Sequence, residues 1–224
     1  MGVCKGGLAV GAGVCEVGVP RGLSQAGLKV TVLERGAPCR NSSWAGGCIL
    51  SPLYPWRYAD AVNRLAAWSQ ASYPGLCQQL LQETGIDPEW TESGLLLLDR
   101  AEFDAARRWS TVAQQPCKEL AGCDLGLSEP VLAGDHGRGV LFPQIAQVRN
   151  PRLLKALVRS LEVGGVSIIP QTEVLSLRCD AGRVRGVDSS RGPGSLDEHQ
   201  PIEPVLGSRI ERKSFSSVWI AVFI

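Results

Sequence analysis

The sequence predicts an α/β fold, and three observations near its start carry that prediction. Leu8-Ala9-Val10 is a short apolar run that gives way at once to Gly11-Ala12-Gly13. Residues 14–27 then suit a helix, with Gly27 placed to close it as the first residue past the cap. Leu28-Lys29-Val30-Thr31-Val32-Leu33 follows as a β-branched strand ending at Glu34. Strand, glycine turn, helix and strand within about 30 residues make a βαβ unit.

Later elements extend the same class. From Ala61 the pattern is helical, with Val62, Leu65 and Ala66 on one face. Pro74 is expected to interrupt that helix, and Leu76, Leu80 and Leu81 resume the apolar stripe as far as Gly85. Gly94 precedes a strand at Leu95–Leu98, and residues 101–120 read as a further helix through Phe103, Ala106 and Trp109. Asn150-Pro151 is the clearest helix start in the chain, a capping side chain and then proline at the first helical position. Leu153, Leu154, Leu157, Val158 and Leu161 form its apolar face, and Gly164-Gly165 ends it. Val166–Ile169 begins another strand, and Thr172–Arg178 with Arg183–Val187 reads as a hairpin. Residues 188–208 carry prolines at 193, 201 and 204 with little periodicity, which reads as a loop or disordered stretch.

Composition narrows the function classes. The 224 residues are 44% hydrophobic and 20% charged, enough to bury a substantial core. The net charge of +1 gives no global field toward nucleic acid or an anionic membrane. Eight cysteines include no CxxC pair, and with two histidines in the chain no zinc site is expected. No secretory leader is visible, so the cysteines read as reduced thiols of a cytoplasmic protein. The longest fully apolar run, Val218–Ile224, is far short of the ~20 residues that span a bilayer. Five of the six tryptophans fall between 44 and 109, which predicts a packed core. Arg149, Arg152 and Arg159 read as the solvated face of one helix.

Glycine is the informative outlier: 11 of the 26 lie in the first 47 residues. Backbone there must turn tightly or lie close against something. Gly11 and Gly13 sit where a strand meets a helix, and Glu34 ends the next strand 23 residues after Gly11. Dinucleotide binding needs that spacing. Glycines let the backbone close on a diphosphate, the helix N-terminus supplies N–H groups, and the acid accepts from ribose hydroxyls. The competing interpretation is a glycine-rich turn beside a surface glutamate. Two departures bear on the pattern. Glu16 stands where the third glycine of G-x-G-x-x-G belongs, close to any bound diphosphate, and Pro20 falls inside the helix. Proline there costs ~3 kcal/mol, and Gly18 and Gly22 ~1 kcal/mol each, which predicts a first helix that is kinked, short or badly formed.

Together with Ser43-Trp44-Ala45-Gly46-Gly47, Ile49–Tyr58, Asn150–Leu154 and Thr172-Glu173-Val174, these residues resemble the glycine oxidase and D-amino-acid oxidase family. The resemblance, strongest to the thiamine-linked bacterial glycine oxidases, covers about residues 8–187. It implies an FAD/NAD(P)-binding Rossmann-like domain, in residues 1–50 and 148–187, with an inserted α+β substrate domain in residues 51–147. Residues 188–224 would be an irregular tail, and the chain is C-terminally truncated relative to that family. By position, the resemblance implies FAD diphosphate at Gly11 and Gly13 and adenosine ribose at Glu34, with Arg35 beside it. Ser43, Ala45, Gly46 and Gly47 would lie along the flavin, and Val174 would meet the adenine through its backbone. The implied reaction is oxidation of the C–N bond of a small amino acid or amine to an imine, with FAD as hydride acceptor. No catalytic residue is assigned, because the carboxylate-binding arginine of the family lies in the absent portion. Arg57 and Tyr58 read as an ordinary surface pair. The alternative is an inactive, truncated FAD- or nucleotide-binding remnant.

Overall fold

A computed structural model describes residues 6–40, 42–121, 123–128, 132, 137–180 and 183–191. The chain divides into two compact units. The first takes residues up to Gly46, Leu80–Ile86 and residues from Asn150 onward; the second takes Gly47–Gln79 and Asp87–Arg149. The assignment of Leu80–Ile86 differs from the sequence division, which kept that segment with its neighbours.

The first unit is built on a parallel sheet of β1 (Gly6–Val10), β2 (Lys29–Leu33) and β6 (Ser167–Ile169), in the order β1-β2-β6. Leu8 pairs with Thr31, and Thr31 with Ser167. The sheet residues Leu8, Ala9, Val30, Val32 and Leu33 are buried, as expected when a parallel sheet is covered on both faces. Helix α1 (Val14–Gln25) crosses between β1 and β2 and packs against helix α5 (Asn150–Val163). On α5, Leu153, Leu154, Leu157 and Leu161 are all buried. The hairpin β7 (Val174–Asp180) and β8 (Arg183–Ser189) adds Val187, with Val174 and Leu177 around it, to a small core with Leu8 and Leu33.

Both helix ends marked by glycine follow one rule. After α1, Gly27 takes φ +85°, its N–H donates to Ser24 O, and Leu28 N–H donates to Leu23 O. After α5, Gly165 takes φ +74° and Val166 N–H donates to Leu161 O. Left-handed glycine just past the cap is what lets the last carbonyls find donors.

The expectation of a damaged first helix is overturned. Helix α1 runs unbroken from Val14 to Gln25 with Pro20 inside it. The ring of Pro20 and the side chain of Val17 are fully buried, so apolar burial offsets the lost backbone hydrogen bond. Gly18 and Gly22 meet nothing within 4 Å where a Cβ would sit, and both face solvent. Neither glycine is needed for packing. The double change Gly18→Ala, Gly22→Ala is therefore expected to stabilise the protein by about 1–2 kcal/mol in urea unfolding.

The second unit holds an antiparallel sheet in the order β3-β5-β4, from β3 (Leu95–Leu97), β5 (Arg138–Phe142) and β4 (Lys118–Ala121). Its core gathers Leu97, Phe103, Ala106, Val140, Phe142 and Ile145, with Trp56 and Trp109 against them. Rings of Trp109 and Phe142 meet edge to face at 5.7 Å. Not every tryptophan joins this core: Trp68 is 71% exposed and Trp44 lies under the Arg40 guanidinium at 4.5 Å.

Three further expectations are corrected. Helix α3 (Phe103–Ala113) stops well before residue 120, because Gln114 turns left-handed (φ +53°) and Pro116 follows, so Lys118–Ala121 becomes strand β4. Helix α2 (Asp60–Thr84) continues through Pro74, which lies on its solvent side. Its Val62 and Leu65 are exposed. Strand β8 runs to Ser189, two residues into the segment expected to be irregular, because Val174 pairs with Ser189. Residues 192–224 of that tail lie outside the described residues, as do Ala181-Gly182 at the hairpin turn. Among the described residues no helix is long and apolar enough to cross a membrane.

Candidate dinucleotide site

The site is assembled at the C-terminal ends of β1 and β2, where backbone carbonyls and amides run out of strand partners. Gly11 leaves β1 with φ +98°, a left-handed turn that a side chain would strain, and its N–H donates to Leu33 O. This bond ties the turn to the last residue of β2.

Glu34 then closes the turn from the other side. Its carboxylate Oε2 accepts from Ala12 N–H at 2.7 Å, and its Oε1 accepts from Gly36 N–H at 2.7 Å. Its own backbone is bound as well, N–H to Ile169 O and O from Thr172 N–H. The side chain is only 6% exposed. Each carboxylate oxygen holds a second lone-pair direction, so Glu34 can anchor the turn and still accept a ribose hydroxyl. Arg35 beside it is exposed.

Ser43 has a role that the sequence did not reveal. Helix α1 begins after Gly13, whose lack of a side chain leaves its first amides without a local cap. Ser43 Oγ supplies that cap from a distant loop, accepting from Val14 N–H at 3.1 Å. Asn150, read as the cap of α5, donates from Nδ2 to Ser43 O at 3.3 Å and lies against Gly46 where a Cβ would stand. A side chain at Gly46 would have to displace the Asn150 amide. Ala45 is exposed, and Gly47 begins the second unit with nothing within 4 Å of a Cβ position. Val174 opens β7 beside the Leu8, Leu33 and Val187 core.

Cys39 is a second residue missed from sequence. It is buried at φ +59°, and both its N–H (2.9 Å) and its Sγ (3.0 Å) donate to Ala12 O. Burial, with Glu34 and Glu16 nearby, pushes its thiol up to about 11, so it backs the turn as a neutral donor and not as a nucleophile.

Gly13 and Gly11 are not bare. Glu16 Oε2 lies 2.6 Å from the Cβ position of Gly13, and Glu16 Cγ lies 3.2 Å from that of Gly11. Among the described residues, Glu16 Oε2 is buried without a hydrogen-bond partner. The residues thus fit a dinucleotide at its ribose end, through Glu34. At the diphosphate end they do not: an anionic side chain lies in the hollow that the glycines leave.

A glycine turn between parallel strands, closed on an acid at the end of the second strand, is a dinucleotide-binding arrangement. The family model described as FAD dependent oxidoreductase matches residues 8–200. The chain belongs to the FAD-dependent oxidoreductase family. Glycine oxidase of Pseudomonas aeruginosa is 45% identical over 186 residues, covering 83% of this chain and 51% of that protein. Glycine oxidase of Pseudomonas putida is 35% identical over 225 residues, covering 91% of this chain and 61% of its own. The crystal structure of glycine oxidase from Bacillus cereus superposes with a TM-score of 0.75 at 27% identity, over 84% of this chain and 52% of that one. The fold is that of the FAD-dependent glycine and amino-acid oxidases, and FAD is the cofactor of this family. The chain spans about half the length of the relatives it matches.

The surface pair expected at Arg57 and Tyr58 is different in detail. Arg57 is engaged with Glu102, which also accepts from Trp56 Nε1, and it stacks over the Tyr54 ring at 4.4 Å. Those two donors hold the Glu102 carboxyl below the usual range. Tyr58 is half exposed. Arg159 pairs with Glu162 at 2.8 Å on the outer face of α5, whereas Arg149 precedes that helix and pairs with Glu89 at 3.3 Å.

Proposed function

We propose that this chain is the FAD-binding portion, with part of the substrate domain, of an oxidoreductase that oxidises the C–N bond of glycine, D-amino acids or secondary amines to an imine. The observation that carries the proposal is the bond from Ala12 N–H to Glu34 Oε2, which closes the glycine turn on the acid that ends β2. Membership of an FAD-dependent family supports FAD as the ligand of that turn. In this reading Gly11, Gly13 and Glu34 hold the diphosphate and ribose, with Arg35 beside them. Ser43, Ala45, Gly46 and Gly47 lie along the flavin, and Val174 meets the adenine. Residues 1–50 and 148–187, with β8 continuing to Ser189, form the cofactor domain, and residues 51–147, apart from Leu80–Ile86, form the substrate domain. FAD supplies the hydride-accepting chemistry when bound. A small amine substrate and a cytoplasmic location belong to the same reading.

A second reading, a nucleotide-binding remnant without turnover, is favoured by Glu16 in the diphosphate hollow. Absorbance separates the possibilities. Purified protein, or protein incubated with FAD and desalted, is expected to show flavin bands near ~450 nm. Absence of those bands after incubation would overturn the reading as an FAD protein. If the bands are present, peroxide release with glycine, sarcosine or D-alanine distinguishes enzyme from remnant.

A further inference from the structure

The hollow over Gly11 and Gly13 holds something already. Its floor is backbone, its rim is Ser43 Oγ, 3.3 Å from the Cβ position of Gly13, and across it lies the side chain of Glu16. The methylenes of Glu16 rest on Gly11, and its carboxylate rests on Gly13. Glu16 is the acidic residue of the first turn of α1, so the positive end of that helix attracts its charge inward. Yet Oε2 is buried with no hydrogen-bond partner among the described residues, a costly position for a carboxylate oxygen that solvent would otherwise satisfy. A negatively charged oxygen pressed on a glycine turn at a helix N-terminus is what a phosphate group presents there.

We propose that Glu16 is a tethered anion that occupies the diphosphate hollow and sets which ligands the site accepts. A nucleoside, which reaches Glu34 through its ribose and carries no phosphate, binds without disturbing it. A nucleoside diphosphate or FAD binds only after the Glu16 side chain has rotated out, and its affinity falls by the cost of that displacement. This rests on the dinucleotide reading given above and goes beyond it, because it assigns a selective role to a residue outside the expected site.

The experiment titrates adenosine, ADP and FAD into the wild-type chain, Glu16→Gln and Glu16→Gly, using calorimetry for all three ligands and flavin fluorescence for FAD. Removing the side chain in Glu16→Gly is expected to tighten ADP and FAD by roughly tenfold or more, the scale of a relieved like-charge contact. Glu16→Gln keeps the volume and removes the charge, so it should recover part of that gain. It also guards against the glycine variant failing to fold. Adenosine should bind all three proteins equally. If adenosine binds and both variants leave ADP and FAD unchanged, the proposal is overturned. Equal tightening of adenosine would overturn it too, since the effect would not depend on phosphate. If none of the three ligands binds any of the three proteins, the dinucleotide reading itself fails, and the role of Glu16 with it.

Discussion

Replacing Glu34 with alanine should cost about 3 kcal/mol of stability and abolish FAD binding, the largest effect expected of a single change at the site. The carboxylate accepts two backbone N–H groups, from Ala12 and Gly36, and Ala12 is only 1% exposed. Alanine leaves both donors without their charged acceptor, and the buried one cannot recover a water. Glu34→Gln is the sharper comparison. Its amide keeps one acceptor oxygen but points an NH2 at the other N–H, so a loss of about 1–2 kcal/mol is expected. Urea unfolding measures both. A loss well under about 1 kcal/mol for Glu34→Ala would show that Gly11 N–H to Leu33 O and Cys39 N–H to Ala12 O hold the turn without it.

The second large effect lies away from the glycine turn. Arg21 on α1 is 10% exposed at its side chain and donates from Nη2 to Glu83 Oε1 at 2.7 Å. Its Nε donates to Ser160 Oγ at 2.9 Å, and Ser160 Oγ donates to Glu83 Oε2 at 2.6 Å. Three side chains thus close a ring that joins α1, α5 and the last turn of α2. Breaking a fully buried ion pair costs 3–5 kcal/mol, but Glu83 is 32% exposed and solvent screens part of the interaction. Glu83→Ala is accordingly expected to cost about 2–3 kcal/mol. Arg21→Met removes the charge and keeps most of the volume, so in the Glu83→Ala background it should recover part of that loss. A double-mutant cycle should return a coupling of about 1–2 kcal/mol. A coupling near zero would mean that packing, and not the ring of hydrogen bonds, joins these helices.

The parts of the fold legible in sequence were those whose cause is local. Gly27 and Gly165 end helices because the backbone beside them requires a left-handed residue, and Pro151 marks a helix start because proline suits the first turn. Gly11, Gly13 and Glu34 were legible because strand, turn and helix lie next to one another along the chain. What sequence reasoning missed depends on distant partners. Ser43 caps α1 across 29 positions, and Arg21 meets Ser160 across 139. The reading of Pro20 failed in the opposite way: local propensity predicted damage, and burial of the ring against the rest of the unit outweighed it. Val62 and Leu65 obeyed a helical period and were nonetheless exposed, because a period identifies a helix and a face but not whether anything covers that face.

Strand β2 lies between β1 and β6, and β6 arrives more than 130 residues after it. During synthesis the glycine turn and β2 therefore emerge together and can pair early. The bonds from Glu34 N–H to Ile169 O and from Thr172 N–H to Glu34 O must wait for nearly the whole described chain. Until then one edge of β2 has no partner, and the acid that anchors the turn has an unfixed backbone. A ribosome stalled before residue 167 would thus hold a βαβ unit whose sheet is open on the side where β6 belongs. Among nascent chains of increasing length, resistance of β2 to protease should rise in a single step once that strand has cleared the exit tunnel.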